Sequence, residues 1–260
     1  MLISAIKAAG GPTYQYRQID PLDDQDGGVP GGNIRVGFLF RTDRGVEFID
    51  RPGGNSTTPT TVVSTPSGPR LLFSPGRVAP QDPAWSTPEG VRKPLAAEFR
   101  ARGKKLFLIA NHWKSKTGDQ PLFGRFQPPA RVTETQRKAE AGVVKDFVNE
   151  ILALDPHANV IVLGDLNDFE FSETLTILEE RGDFDLHTLI ETLPQNERYS
   201  YVFEGNSQTL DHIVVSDNLV NQFSFDYDIV HVNSEFADQA SDHEPQLVRL
   251  DLRGRPTPKP

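Results

Sequence analysis

Two apolar runs, 105–111 and 160–163, stand on either side of the clearest helical stripe in the chain, and each run ends on polar residues. Strand, helix, strand in that order is the pattern of a right-handed parallel crossover, because a right-twisted strand feeding a helix packs back onto its sheet with that hand. In the helical segment Thr133 precedes Gln136 by three residues, as a cap does, and Ala139, Val143, Phe147 and Ile151 form a stripe widened by Val144 and Val148. A geometric consequence follows. Parallel strands in one sheet share an edge at their C-terminal ends, which puts His112 and Asp165 on one side of the molecule.

Four polar clusters stand at the ends of apolar runs: Asn111-His112-Trp113-Lys114-Ser115, Gly164-Asp165-Leu166-Asn167-Asp168, Leu210-Asp211-His212-Ile213 and Ser241-Asp242-His243. Segments 210–215 and 246–252 read as strands, with the polar groups opening or preceding them. If they run antiparallel to the first pair, Asp211, Asp242 and His243 reach the same edge. Carboxylates, an amide and imidazoles gathered there can hold a divalent cation and cleave a phosphate ester. Asp165 and Asn167, two apart on an extended segment, point the same way; Gly, Asp and Asn also favour a plain turn after a buried strand. His212, His157, His187 and His231 have no motif around them and read as packing or surface residues.

Composition narrows the rest. With 27 basic and 36 acidic residues the net charge is −9, so the chain as a whole does not grip nucleic acid by counterion release, and any phosphate chemistry needs a metal or a local basic groove. No Cys is present, which removes disulfide and thiolate chemistry. No apolar run approaches the ~20 residues of a membrane helix, and the first residues show no export signal. The expected layout is one domain over 1–252 with a flexible tail at 253–260. Helical residues 2–9 stop at Gly10-Gly11-Pro12, a loop occupies 27–32, and strands occupy 33–40 and 94–99. Segment 51–90, rich in Pro, Gly, Ser and Thr, reads as a long insertion outside the core.

The order Asn-His-x-Lys-Ser, Gly-Asp-Leu-Asn-Asp, Leu-Asp-His-Ile, Ser-Asp-His-x-Pro resembles the endonuclease/exonuclease/phosphatase superfamily, over roughly 34–252. Within it, Pro121-Leu122-Phe123-Gly124-Arg125 through Gln127-Pro128-Pro129 and Arg131 is similar to large bacterial extracellular nucleases. The resemblance implies an α/β (α+β) four-layer sandwich, two mixed β-sheets packed face to face with helices outside. It implies a metal-dependent phosphoesterase, first a nuclease acting on nucleic acid and otherwise a phosphatase or phospholipid phosphodiesterase. The cofactor implied is a divalent cation, Mg first, with Mn or Ca as alternatives. It also implies an extracellular or periplasmic location.

The same resemblance assigns roles. His112, Asp165, Asn167, Asp211 and His243 are the catalytic set. Asp165, Asn167, Asp242 and His243 are the metal set, and Asn111, Lys114 and Arg92 contact phosphate. Asp211 orients His243, which acts as base or polarises the phosphate. Asp168 and Glu170 serve turn and helix-start electrostatics. The superfamily pattern opens with a strand carrying Asn and another ending in Gln-Glu, whose glutamate is a principal metal ligand. Neither segment is found here. The expectation is therefore a domain without its first strands, and a catalytically impaired binding module stands as a further alternative.

Overall fold

The computed structural model describes residues 1–23, 25–27, 32–86 and 91–254. In chain order the elements are α1 (Leu2–Ala8), β1 (Gln15–Arg17), β2 (Phe38–Phe40), β3 (Val46–Phe48), β4 (Pro59–Thr60), β5 (Val62–Thr65), β6 (Gly68–Leu71) and β7 (Gly76–Val78). Then come β8 (Arg92–Ala101), β9 (Lys104–His112), α2 (Glu134–Leu154), β10 (Asn159–Asp165), α3 (Glu173–Glu180) and β11 (Leu186–Thr188). The chain closes with β12 (Tyr201–Phe203), β13 (Asn206–Gln208), β14 (Asp211–Ser216), α4 (Asp217–Gln222), β15 (Ser224–Ile229) and β16 (Gln246–Asp251). A mixed sheet runs in the order β11-β14-β10-β9-β8-β7-β4, with β3 paired on β8.

The centre of that sheet follows from the sequence. β8 and β9 form a hairpin turned by Arg102 and Gly103, both at positive φ, the conformation that matches the twist of the flanking strands. β9 and β10 are parallel and joined by α2, so the crossover is present. Val160 and Val162 are fully buried, as are Val144, Val148 and Ile151 of the helix. Each such side chain contributes about 1.5–3 kcal/mol of transfer free energy. β14 runs antiparallel to β10.

Two cores flank the sheet. One joins α2 and α3 to it through Phe107, Ile109, Val144, Ile151, Val160 and Leu175. The other packs ribbons β1–β2 and β15–β16 against its opposite face through Phe38, Phe40, Phe99, Ile161, Ile213 and Tyr227. Phe40, Phe48 and Phe99 interlock there at 5.0–5.7 Å, a stacked pair with edge-on partners. The fold class expected from the resemblance, mixed α/β with layered sheets and helices outside, is the one observed.

Several details differ. Segment 51–90 is not excluded from the core: β4 and β7 extend the main sheet, the β5–β6 hairpin packs against α2, and Leu71, Val78 and Trp85 are buried. Its strands are two to four residues long, too short for a period to register. Only Phe38–Phe40 of 33–40 joins a ladder. β16 pairs with β15 alone, not with the main sheet, so His243 reaches the edge by a loop. In α2, Ala139 is exposed, while Arg137, Glu140 and Lys145 are fully buried. The expected cap is also absent, because the Thr133 hydroxyl donates to Asp119 instead. Most of the expected tail (255–260), residues 28–31 of the expected loop and residues 87–90 of segment 51–90 lie outside the described residues.

Candidate functional site

Register alone assembles the centre of the site. Arg92 of β8 stands opposite His112 of β9, His112 opposite Asp165 of β10, and Asp165 opposite Asp211 of β14. Residues opposite one another in a ladder share a face, so four side chains from four neighbouring strands form one row. Gly164 makes the row possible. It holds φ +128°, and a Cβ there would lie 2.1 Å from the Asn111 carbonyl oxygen. No other residue allows the β9 and β10 backbones to meet in this way.

His243 joins the row from outside the sheet, its Nδ1 at 2.7 Å from Asp211 Oδ2. A lone bridge between Tyr201 and His243 holds that loop, and their rings lie 4.8 Å apart. The Ser200 hydroxyl donates to Asp211 Oδ2 at 2.7 Å and accepts from the Leu210 and Asp211 amides at 3.1 Å. Neither Ser200 nor Tyr201 lies in any of the four motifs, and only folding brings them to the edge.

Charge is crowded here. Burial, and then the Asp211 carboxylate, hold the Asp165 carboxyl above the usual range. For His243 burial lowers the pKa, but the hydrogen bond and charge of Asp211, with the charges of Asp165 and Asp242, outweigh it and raise the value to about 9. His112 goes the other way, to about 4, through burial and the positive Arg92 and His243. Its Nε2 lies 3.3 Å from Asp165 Oδ2, yet the imidazole is neutral at pH 7, so the contact is not an ion pair.

The expected residues separate into those on the row and those off it. Asn167, at φ +53°, turns so that its Nδ2 donates to Asp165 Oδ2 and to the Trp113 carbonyl, both at 3.1 Å. Arg92 is buried, donates to the Trp113 carbonyl at 2.7 Å, and its Nε has no partner among the described residues. Lys114 is half-buried, its amide donating to Glu140 Oε2 at 2.9 Å. Asn111 is not placed for phosphate. Its amide group donates to the Ile109 and Leu163 carbonyls and accepts from Trp113 Nε1 inside the protein.

The metal set changes as well. Oxygens of Asp165 and Asp211 and a His243 nitrogen lie within 4.8 Å of one another, whereas Asp242 is exposed and outside the group. Two half-buried carboxylates, of which Asp211 raises the proton affinity of Asp165, are what a divalent cation relieves, so the donor set fits one, with Asp211 in the place expected for Asp242. Asp168 also differs from its expected turn role. It is fully buried and binds Arg137 Nε at 2.9 Å, the Thr174 hydroxyl at 2.7 Å and Lys116 Nζ at 3.1 Å, while Arg137 reaches Asp119 at 3.1 Å. His212 is core, as expected, its Nε2 on the Asp168 carbonyl at 2.8 Å. Of the other histidines, His157 is exposed, His187 contacts Asp217 at 2.6 Å, and His231 stacks on Tyr199.

The comparisons agree with this architecture. A family profile described as the Endonuclease/Exonuclease/phosphatase family matches residues 79–245, a span that contains all four clusters. No curated protein sequence is similar enough to this chain to count as a relative. Among solved structures it is similar to truncated TDP2 of Caenorhabditis elegans, with 15% identity, TM-score 0.56, and coverage of 95% of this chain and 77% of that one. It is similar also to an endonuclease/exonuclease/phosphatase from Bacteroides vulgatus, with 16% identity, TM-score 0.54, and coverage of 96% and 88%. A third likeness is the Bacteroides thetaiotaomicron mannosyl-6-phosphatase, with 19% identity, TM-score 0.51, and coverage of 96% and 81%. At such identities these likenesses speak for the fold. The profile spans well over half of the chain, and the chain belongs to the endonuclease/exonuclease/phosphatase family.

Proposed function

We propose that this chain is a metal-dependent phosphodiesterase whose first substrate class is nucleic acid. The observation that carries the reading is the row Arg92, His112, Asp165, Asp211, completed by His243 on Asp211. The similarity of residues 121–131 to bacterial extracellular nucleases ranks nucleic acid first and supports an extracellular or periplasmic place of action.

Arg92 lies buried beside Asp165 and supplies fixed positive charge near the developing phosphorane. With Nδ1 held by Asp211, the His243 ring turns Nε2 toward the reaction, and the Asp211 carboxylate makes it more basic. Nε2 of the neutral ring takes the proton of the attacking water; a cation beside Asp165 and Asp211 would favour that neutral form by offsetting the carboxylate charges that otherwise hold the ring's pKa at about 9. The water oxygen bonds to phosphorus as the bond to the leaving oxygen breaks, and that oxygen collects its proton from solvent. His112 donates a hydrogen bond to a phosphoryl or leaving oxygen, and the Asn167 amide fixes the Asp165 carboxylate. A divalent cation, held by Asp165 and Asp211 with His243 beside them, would supply Lewis-acid charge to the phosphate. Hard carboxylate donors favour Mg, with Mn or Ca as alternatives.

The test is a supercoiled-plasmid and oligonucleotide cleavage assay beside a phosphomonoester assay, each with Mg, Mn, Ca and chelator. Cation-dependent cleavage that falls about 10²–10⁴-fold in His243→Ala is expected. Cleavage equal in His243→Ala and the parent would overturn the mechanism. The likeness to a mannosyl-6-phosphatase supports a second reading, phosphomonoester hydrolysis at the same row. Release of phosphate from the monoester without strand cleavage would select it, and no turnover with any cation would select a binding module.

A further inference from the structure

Next to the row the surface changes character. Residues 112–138 carry Lys114, Lys116, Arg125, Arg131 and Lys138, with Arg137 buried beneath them, against only Asp119 and Glu134, inside a chain of net charge −9. Exposed aromatic rings stand around the same segment. Phe123 is 76% exposed, Phe126 50%, Phe171 64% and Phe203 45%. Exposed apolar rings cost solvation, and here they cluster on one side of the site.

The rings connect to the catalytic edge. His243 lies against Tyr201, and Tyr201 is stacked parallel to Phe203 at 6.3 Å. Phe203 then lines a pocket with Leu122, Phe169, Lys116, Gln120 and Gln208, and Asp119 and Arg131 line it too. Lys116 sits 4.2 Å over the Phe169 ring and 3.1 Å from Asp168, so it ties the pocket to the turn carrying Asn167. Farther out, the Arg125 guanidinium lies 4.6 Å over the Phe126 ring, and Arg125 forms no ion pair among the described residues. Flat apolar faces with amides at the rim and cations between them are the makings of a track for single-stranded nucleic acid, bases on the rings and phosphates on the cations.

We propose that this face, from Phe203 across the Phe169 pocket to Arg125 and Phe126, binds unpaired nucleotides flanking the scissile phosphate, so that single-stranded nucleic acid is preferred to duplex. A base adjoining the bond to be cleaved stacks on Phe203, and Arg125 meets the backbone beyond it. The duplex alternative is disfavoured because paired bases keep their faces inside the helix, where Phe203 has no access to them. The proposal deepens the phosphodiesterase reading and rests on it for the position of the scissile bond.

The test uses the whole chain with Phe203→Ala, Phe203→Trp and Arg125→Ala. Binding of a fluorescent twelve-nucleotide single strand is measured with chelator present, so that it does not depend on turnover. Hydrolysis of bis(4-nitrophenyl) phosphate with Mg or Mn, a diester without a base, is measured separately and reports whether the catalytic row works. Loss of about tenfold in affinity is expected for Phe203→Ala, with near-parent binding by Phe203→Trp, which keeps a stacking face. Arg125→Ala should reduce the salt slope of log K by about 0.7, the value for one phosphate contact on a single strand. Turnover of the base-free diester by all three variants is expected and shows that the row is intact. Equal single-strand binding by Phe203→Ala and the parent would overturn the proposal, as would equal loss on duplex and single strand. Phe203-dependent binding to phosphatidylserine vesicles without oligonucleotide binding would assign the face to a membrane instead. Failure of the base-free diester to react, with Phe203-dependent binding retained, would count against the catalytic reading and leave the track standing.

Discussion

At the scale of single residues, position in the ladder matters more than residue type. Asn111 and His112 are neighbours in sequence, yet the strand turns one into the protein and the other into the row, because successive side chains alternate faces. Gly164 is the smallest member of its cluster and the one with least freedom to change. Gly164→Ala meets both a positive φ and the Asn111 carbonyl, and we expect a loss of at least about 1–3 kcal/mol in urea unfolding with catalysis lost as β9 and β10 part. Glu140 supplies a pH signature. Burial outweighs the hydrogen bonds from Lys114 and Gln136 and raises its carboxyl to about 7. Below pH 4.5 the group is neutral in both states. Between there and 7 the folded protein keeps a proton that the unfolded chain releases, so stability falls as pH rises, and above 7 the dependence ends. Between pH 5 and 7.5 the parent should lose about 2 kcal/mol relative to Glu140→Gln, read from urea midpoints. Parallel pH profiles for the two proteins would refute this.

At the scale of elements, α2 does two jobs along one helix. Its C-terminal half packs Val144, Val148 and Ile151 against the sheet, and its first turns bury Arg137 and Glu140 beneath the site. Arg137 ties Asp119 and Asp168 together, and so joins the loop after β9 to the turn after β10. Removing a buried cation leaves two buried carboxylates behind. Arg137→Ala should therefore cost about 3–5 kcal/mol, and Arg137→Met together with Asp168→Asn considerably less, both measured by denaturant unfolding. The sequence motif of α2 pointed to the apolar stripe and missed the charged turns, because a hydrophobic pattern scores Arg137 and Glu140 as solvent-facing. Apart from Thr133 and Gln136, four residues away, their partners are carboxylates and backbone groups of loops 18 to 31 residues distant.

At the scale of the molecule, acidic groups outnumber basic ones, yet the centre of the site holds two carboxylates close to each other. A divalent cation that binds them only in the folded state stabilises that state by mass action. Mg or Mn at about a hundred times its dissociation constant should add about 2.7 kcal/mol, seen as a rise in Tm, and Asp165→Asn should abolish the rise. An equal rise in that variant would place the cation elsewhere.

The order of the four clusters, the β9–α2–β10 crossover and the antiparallel return of β14 were legible in the chain itself, because strand and helix periods are local properties and handedness restricts how they connect. Membership of one sheet edge by His112, Asp165 and Asp211 follows from those periods once the strands pair. Three things were decided only by tertiary structure. The short strands of segment 51–90 carry too few residues for any period. Ser200 and Tyr201 come to Asp211 and His243 through a loop contact. Asp242 turns outward while Asp211 turns in, because β16 pairs with β15 and not with the main sheet. Local pattern can specify which face of a strand a side chain takes, but which distant group stands opposite it depends on the packing of the whole chain.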